Sequence, residues 1–292
     1  MVMLEKQQTT RPAIRSDILR AEFAPELGGR LSRLVHCGGT DVVVPLPPAL
    51  HDPLVWPKAG AYPMLPYHNR IAEGRLYFAG ETIPIRPHPD AAPHSLHGPA
   101  HLCPWRVVNA CDAGLEMAID YPADDDWPWP FEGRQRFALE GNRMTITLSV
   151  TNRSDRPMPA GLGWHPYVAR CRQIDHDAAR WWPHAPDYLP TGEVVSGDMP
   201  NPLECKATAY LSSWSHLTAR LAGGLRLDMQ TQPVFSHLVV HRSEGDYACI
   251  EPVTHLANGF NLAERGIVGT GTRVLRSGEM LSGDVTLVVA QG

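Results

Sequence analysis

The 292-residue sequence predicts an all-β protein built as a β-sandwich, and three observations carry that reading. Its 28 prolines and 25 glycines are spread along the whole chain, and because each proline removes a backbone donor and clashes with the preceding turn, long helices are excluded. Several segments alternate apolar and polar residues with a period of two, as a strand with one buried face requires. Turn-forming clusters separate neighbouring segments.

Taken in chain order, the polar stretch from Met1 to Arg11 lacks the apolar core of a secretory signal and reads as a flexible arm. The clearest strand is Arg143–Thr151, in which Met144, Ile146, Leu148 and Val150 share one face. Glu140-Gly141-Asn142 and Asn152–Asp155 supply turns on its two sides. Further strands are expected at Leu225–Met229, Leu238–His241, Tyr247–Ile250 and Val285–Ala290. One modest helix is expected over Asp175–Trp182, which holds no proline and two adjacent alanines. With no Gly/Ser linker, fixed-period repeat or shift in composition, residues 1–292 read as a single domain.

Composition narrows the partners. Hydrophobic residues make up 43% and charged residues 20%, ordinary values for a globular chain with a sizeable core. The formal charge of -5 is mild and Lys and Arg are scattered, so no footprint for nucleic acid or an anionic membrane is present, and a neutral small molecule fits better. No uninterrupted apolar run reaches the ~18 residues of a membrane-spanning helix. Six cysteines lie far apart without a Cys-x-x-Cys pair, which predicts reduced, mostly buried thiols and a cytoplasmic protein.

Histidine is the conspicuous chemical resource, with 14 copies. Four lie at His88, His94, His97 and His101. The last two have a spacing that ligates metal on a helix, but Pro93, Gly98 and Pro99 oppose that helix, leaving surface histidines or a single catalytic imidazole as readings. His165 stands in Gly161-Leu-Gly-Trp-His-Pro-Tyr167. Pro166 biases it toward extended backbone, and Gly161 and Gly163 permit close approach of another chain or a ligand. It reads as a core or a catalytic histidine. Glu251 follows an apolar strand and precedes Pro252, so it is either a solvated strand end or a base. Asp124–Asp126 with Trp127-Pro-Trp-Pro-Phe131 reads as an acidic surface loop entering a buried aromatic pair, with calcium or a sugar-stacking tryptophan as alternatives.

The series Leu27-Gly-Gly-Arg30, Asn69-Arg70-Ile71, Leu96-His97-Gly98, Pro159–Tyr167, Leu189–Glu193 and Ile250-Glu251-Pro252-Val-Thr-His255 resembles the aldose 1-epimerase (galactose mutarotase) family, in that family's order. The closing Leu275–Glu279 resembles its final turn, and the likeness runs from about Ile18 to Val289. The resemblance implies a large antiparallel supersandwich with a sugar-sized cleft, an isomerase acting on a free aldose as monomer or homodimer, and no metal or organic cofactor. It further implies that Glu251 is the base that deprotonates the anomeric hydroxyl and His165 the acid for the ring oxygen. His97 would hydrogen-bond near that oxygen, and Asn69 and Arg70 would bind sugar hydroxyls. For such a pair Glu251 is expected ionised and His165 protonated, each favouring the other's charge. Thr208 stands where many members carry a sugar-binding aspartate, so the sugar need not be galactose. A phosphorylated or modified sugar, or a silent sugar-binding protein on the same fold, are the other functions the resemblance allows.

Overall fold

A computed structural model describes residues 11–49, 51–197, 199, 201–204, 208–242 and 245–292. The expected arm lies outside these residues except for Arg11, whose guanidinium donates to the carbonyls of Leu46 and Pro47. Cys205 lies outside them too.

Two large antiparallel sheets dominate the described residues. One has ten strands in the order Ala13–Arg15, Leu19–Ala24, Arg30–His36, Ala61–Met64, Gly163–Ala169, Tyr247–Val253, His237–Arg242, Thr208–Ser212, Arg180–Trp182 and Val195–Ser196. The other has eight, in the order Cys171–His176, His216–Leu221, Leu225–Thr231, Met280–Gln291, Arg143–Asn152, Phe131–Glu140, Gly114–Tyr121 and Arg106–Cys111. Each of the five strands expected from the sequence forms; Gly141-Asn142 turns the chain between the paired strands Phe131–Glu140 and Arg143–Asn152, and Asn152–Asp155 leads out to Met158–Ala160, which pairs with Arg273–Leu275.

The eight-stranded sheet keeps the alternation of a surface with one wet face. Met144, Ile146, Leu148 and Val150 are fully buried while Arg143 is exposed, and the matching inner residues of the ten-stranded sheet complete the core. Phe137 meets Phe23 of the opposite sheet with ring centroids 4.7 Å apart. In the middle of the ten-stranded sheet the alternation disappears, because loops cover its outer face: every residue of Gly163–Ala169 is buried.

The helix expected over Asp175–Trp182 does not form. Ile174, Asp175 and His176 pair with Ala219, Thr218 and Leu217 in one sheet, and Arg180–Trp182 pairs with Tyr210–Ser212 in the other. Asp177 makes the corner between them, its Oδ1 accepting the N–H groups of Ser215 at 2.9 Å and His216 at 3.0 Å. Two sheets offering ladder partners outweigh a local propensity that rests on two alanines. The α-helix that does occur among the described residues is the short Gly259–Glu264. The expectation of mostly buried thiols holds for Cys171 and Cys249 only: Cys103 is half-buried and Cys37 and Cys111 are exposed, all five being free. No helix among the described residues is long and apolar enough to cross a membrane.

The acidic segment is a surface loop, with Arg86 bridging Asp125 and Asp126. Trp127 and Trp129 are fully buried against each other at 5.1 Å. Phe137→Ala is expected to lower the unfolding free energy by about 3–5 kcal/mol, the usual cost of deleting a core ring. Urea denaturation followed by circular dichroism checks this, and a loss under about 1 kcal/mol, closer to that of a surface change, would contradict the sheet-to-sheet contact.

Candidate active site

Successive side chains of a strand point to opposite faces, so each central strand of the ten-stranded sheet sends one set inward and one outward. Ala248 and Ile250, Trp164 and Val168, Leu238 and Val240 enter the inter-sheet core. Their neighbours face out and meet in two adjacent rungs. One rung is set by the pairs Tyr62↔His165, Val239↔Glu251 and Tyr210↔Val239, and the next by Tyr167↔Cys249, His241↔Cys249 and Thr208↔His241. Since Tyr167 pairs with Cys249, stepping back two residues from one and on two from the other brings His165 opposite Glu251. Their Nε2 and Oε1 atoms lie 3.2 Å apart.

These rungs floor a cavity of about 370 Å³, lined among others by Asn69, Arg70, His97, His165, Thr208 and Glu251. That volume is within the roughly 300–1,000 Å³ of small-molecule sites. The structure thus gathers all five residues singled out in the sequence, from segments nearly 200 positions apart. Glu251 is not a solvated strand end, being 3% exposed.

The electrostatics depart from the expected ion pair. Burial pushes the Glu251 carboxyl up to about 8, with Arg70 pulling it back. Burial, and then the charge of Arg30, holds His165 well below the ordinary imidazole value. Desolvation therefore outweighs mutual attraction, and the pair shares one proton with the neutral form favoured. Glu251 Oε2 and His165 Nδ1 have no partner among the described residues. Behind the pair, Tyr62 stacks on the His165 ring at 4.6 Å and an interplanar angle of 17°.

A second wall is built by loops. Asn69 and His97 both adopt left-handed backbone, φ 57° and 62°, a conformation that costs non-glycine residues energy and persists only where contacts over-determine it. Here the contacts are reciprocal: His97 N–H donates to the Asn69 carbonyl at 2.9 Å, and Asn69 N–H donates to His97 Nδ1 at 3.1 Å. The second bond fixes the tautomer, leaving the proton of neutral His97 on Nε2. Burial, then His165, holds His97 well below its usual value. Asn69 Oδ1 accepts from the Arg70 N–H at 2.9 Å and lies 3.2 Å from the Tyr210 hydroxyl, while the Arg70 guanidinium rests over the Tyr188 ring at 4.7 Å.

Of the four histidines at 88–101, none is on the surface and no shared helix forms. His88 Nδ1 and His94 Nδ1 accept the N–H groups of Asp90 and Glu73, His101 stacks on Tyr62, and only His97 of the four lines the cavity. The close approach foreseen at Gly161 is real, since a Cβ there would lie 2.1 Å from His255 Cδ2. Thr208 is buried with Oγ1 3.1 Å from His241 Nδ1. Sequence reasoning missed Tyr62, Lys58, His241 and Tyr188 as site residues: His241 ends an expected strand and Tyr188 directly precedes the Leu189–Glu193 motif, whereas Tyr62 lies on a strand without alternation and Lys58 on a loop. Trp56 lines the cavity and donates to the Tyr167 hydroxyl at 3.0 Å.

Comparison with known proteins decides the family. The sequence model described as Aldose 1-epimerase matches residues 17–202. The chain belongs to the aldose 1-epimerase family. The matched span holds Asn69, Arg70, His97 and His165 and stops short of Glu251. An uncharacterised Escherichia coli protein, YphB, is 26% identical over 230 residues, covering 71% of this chain and 77% of that one. The aldose 1-epimerase of Escherichia coli is 29% identical over 140 residues, covering 44% of this chain and 37% of its own. Among solved structures, a galactose mutarotase-like protein from Clostridium acetobutylicum superposes with a TM-score of 0.81 at 20% identity, covering 96% of this chain and 95% of that one. That likeness shows a galactose mutarotase-like fold.

Gly161→Ala is expected to force the His255 ring out of its present contact and cost about 1–3 kcal/mol through overpacking. A thermal-unfolding comparison checks it; an unchanged Tm would mean the contact relaxes freely.

Proposed function

We propose that the protein interconverts the α and β anomers of an aldose by general acid/base ring opening. The observation that carries the reading is the His165–Glu251 pair, 3.2 Å apart and facing a sugar-sized cavity that His97 and Arg70 also line. Opening the hemiacetal needs one proton removed from the C1 hydroxyl and one delivered to the ring oxygen. In the Glu251 carboxylate–His165 imidazolium arrangement of the shared proton, Glu251 takes the first and His165 supplies the second. The open-chain aldehyde rotates about C1–C2, and reclosure on its other face, with both protons returned, gives the other anomer. His97 offers its Nε2–H near the ring oxygen. Arg70, held by Asn69 and Tyr188, offers a rigid fork of donors to sugar hydroxyls, while the engaged Oδ1 of Asn69 makes that residue first a holder of Arg70. Both Glu251 and His165 are present, as a silent sugar-binding protein would not require.

One observation favours an anionic sugar as a second reading. Lys58 lines the cavity, lies over the Trp56 ring at 4.9 Å and has no acidic partner within 4 Å among the described residues. Together with Arg70 it would place two cations beside the substrate, on a lining that also holds Asp90. Neutral aldoses, aldohexose phosphates and uronic acids compared by polarimetry separate the two readings. A preference for charged sugars that Lys58→Met abolishes supports the second, and equal rates with the variant support the first.

Freshly dissolved α-anomers are expected to mutarotate faster with protein, to do so equally after EDTA, and to lose about 10²–10⁴-fold of the catalysed rate in Glu251→Gln, the span of a positioned general base. An unaffected variant would remove Glu251 from the reaction. The pH profile follows from the shared proton. Below about 8 the pair holds its proton and kcat/KM stays level through neutrality; above it the acid is lost and the catalysed kcat/KM falls tenfold per unit. A profile that instead climbs through pH 8 would show that the deprotonated pair is the active form.

A further inference from the structure

Cys249 takes no part in those proton transfers, yet it stands beside them. It lies two residues from Glu251 on one strand, opposite Tyr167 on the next, and is 3% exposed. Its sulfur, a ring nitrogen of His165 and a carboxylate oxygen of Glu251 all lie within 4.8 Å of one another. We propose that His165, Cys249 and Glu251 form a binding site for a thiophilic divalent cation, of the Zn²⁺ class, whose occupation switches the acid/base pair off. The inhibitory consequence rests on the mutarotase reading; the binding site does not.

The donor set suits such an ion. Bond lengths of about 2.0–2.3 Å to nitrogen, oxygen and sulfur in a tetrahedron put ligand atoms roughly 3.4–3.6 Å apart, so side-chain movements of about an ångström close the present spacing. Three protein ligands leave one position facing the cavity, open to water or a sugar hydroxyl. Charge favours the ion as well. Cys249 thiolate and Glu251 carboxylate neutralise a divalent cation outright, and a neutral complex avoids the desolvation that each bare ion would suffer in this floor. His165, neutral by burial, has a lone pair to give. Binding displaces two protons, one from the thiol and one from the His165–Glu251 pair, and leaves no charge behind. The cationic side chains Arg30, Lys58 and Arg70 around the cavity oppose the ion, which makes the site reversible. With the carboxylate and Nε2 both held by metal, neither can carry a proton.

Titration of the full chain with Co²⁺, followed in the near ultraviolet, tests the site without reference to activity. The expected result is one equivalent bound with a thiolate charge-transfer band that is absent in Cys249→Ser and weakened in His165→Asn. Zinc X-ray absorption of the unsubstituted protein should show one sulfur among nitrogen and oxygen neighbours, which settles the geometry even where a variant fails to fold. In polarimetric assays Zn²⁺ should inhibit, EDTA should restore the rate, and Cys249→Ser should need at least tenfold more Zn²⁺. A Co²⁺ band that persists in Cys249→Ser, no sulfur neighbour, equal inhibition of both proteins, or activation by Zn²⁺ would each overturn the proposal. Should no aldose respond at all, the mutarotase reading fails while the Co²⁺ titration still decides the metal site.

Discussion

The site depends on a single register. Gly163–Ala169 and Tyr247–Val253 pair so that Tyr167 meets Cys249 and His165 comes opposite Glu251. Because side chains alternate with a period of two, a slip of one residue would send both into the inter-sheet core and bring Trp164 and Ile250 out. The apolar inner faces of the same two strands forbid that slip: Trp164, Ile250 and Val168 are buried in the core they share with the eight-stranded sheet. Packing on one face of these strands thus fixes chemistry on the other.

The second constraint is dryness. The floor of the cavity holds a carboxyl, an imidazole, a thiol and two phenols, all buried, and each is driven toward its neutral form by the same desolvation. A buried guanidinium behind them, Arg30 at 1% exposure, has no carboxylate partner among the described residues and lies 4.3 Å from the centre of the Tyr62 ring. Its charge reinforces the fall of the His165 value. Proton affinities here are set by surroundings more than by the pair alone, which is why reasoning from opposite charges gave the wrong form.

Much of the fold was legible in the sequence where burial is one-sided. Arg143–Thr151 alternates because its outer face is wet, and it was found on pattern together with Leu225–Met229 and Val285–Ala290 of the same sheet, whereas Phe131–Glu140, Gly114–Tyr121, Arg106–Cys111 and His216–Leu221 were not. Ala61–Met64 and Thr208–Ser212, buried on both faces, carry no alternation to find. Asp175–Trp182 misled because its partners lie in two different sheets, information that a local window does not contain. At the site, motifs located Asn69, Arg70, His97, His165 and Glu251. The pairing of Cys249 with them was hidden, since ligand spacing in a sheet runs across strands rather than along the chain.

Two kinds of support hold the cavity. His165, Glu251 and Cys249 sit on central strands locked from beneath, while Arg70 and His97 hang from a two-residue strand pair, Arg70–Ile71 with Ser95–Leu96, and Lys58 and Tyr188 come from loops. Mutational drift therefore has unequal freedom around the same space. Loop positions can exchange size and charge with little penalty to folding, whereas the backbone of the floor cannot shift without unpicking the core beneath it. A lineage built on this scaffold can accordingly wander in what it admits while remaining conservative in what it does to it.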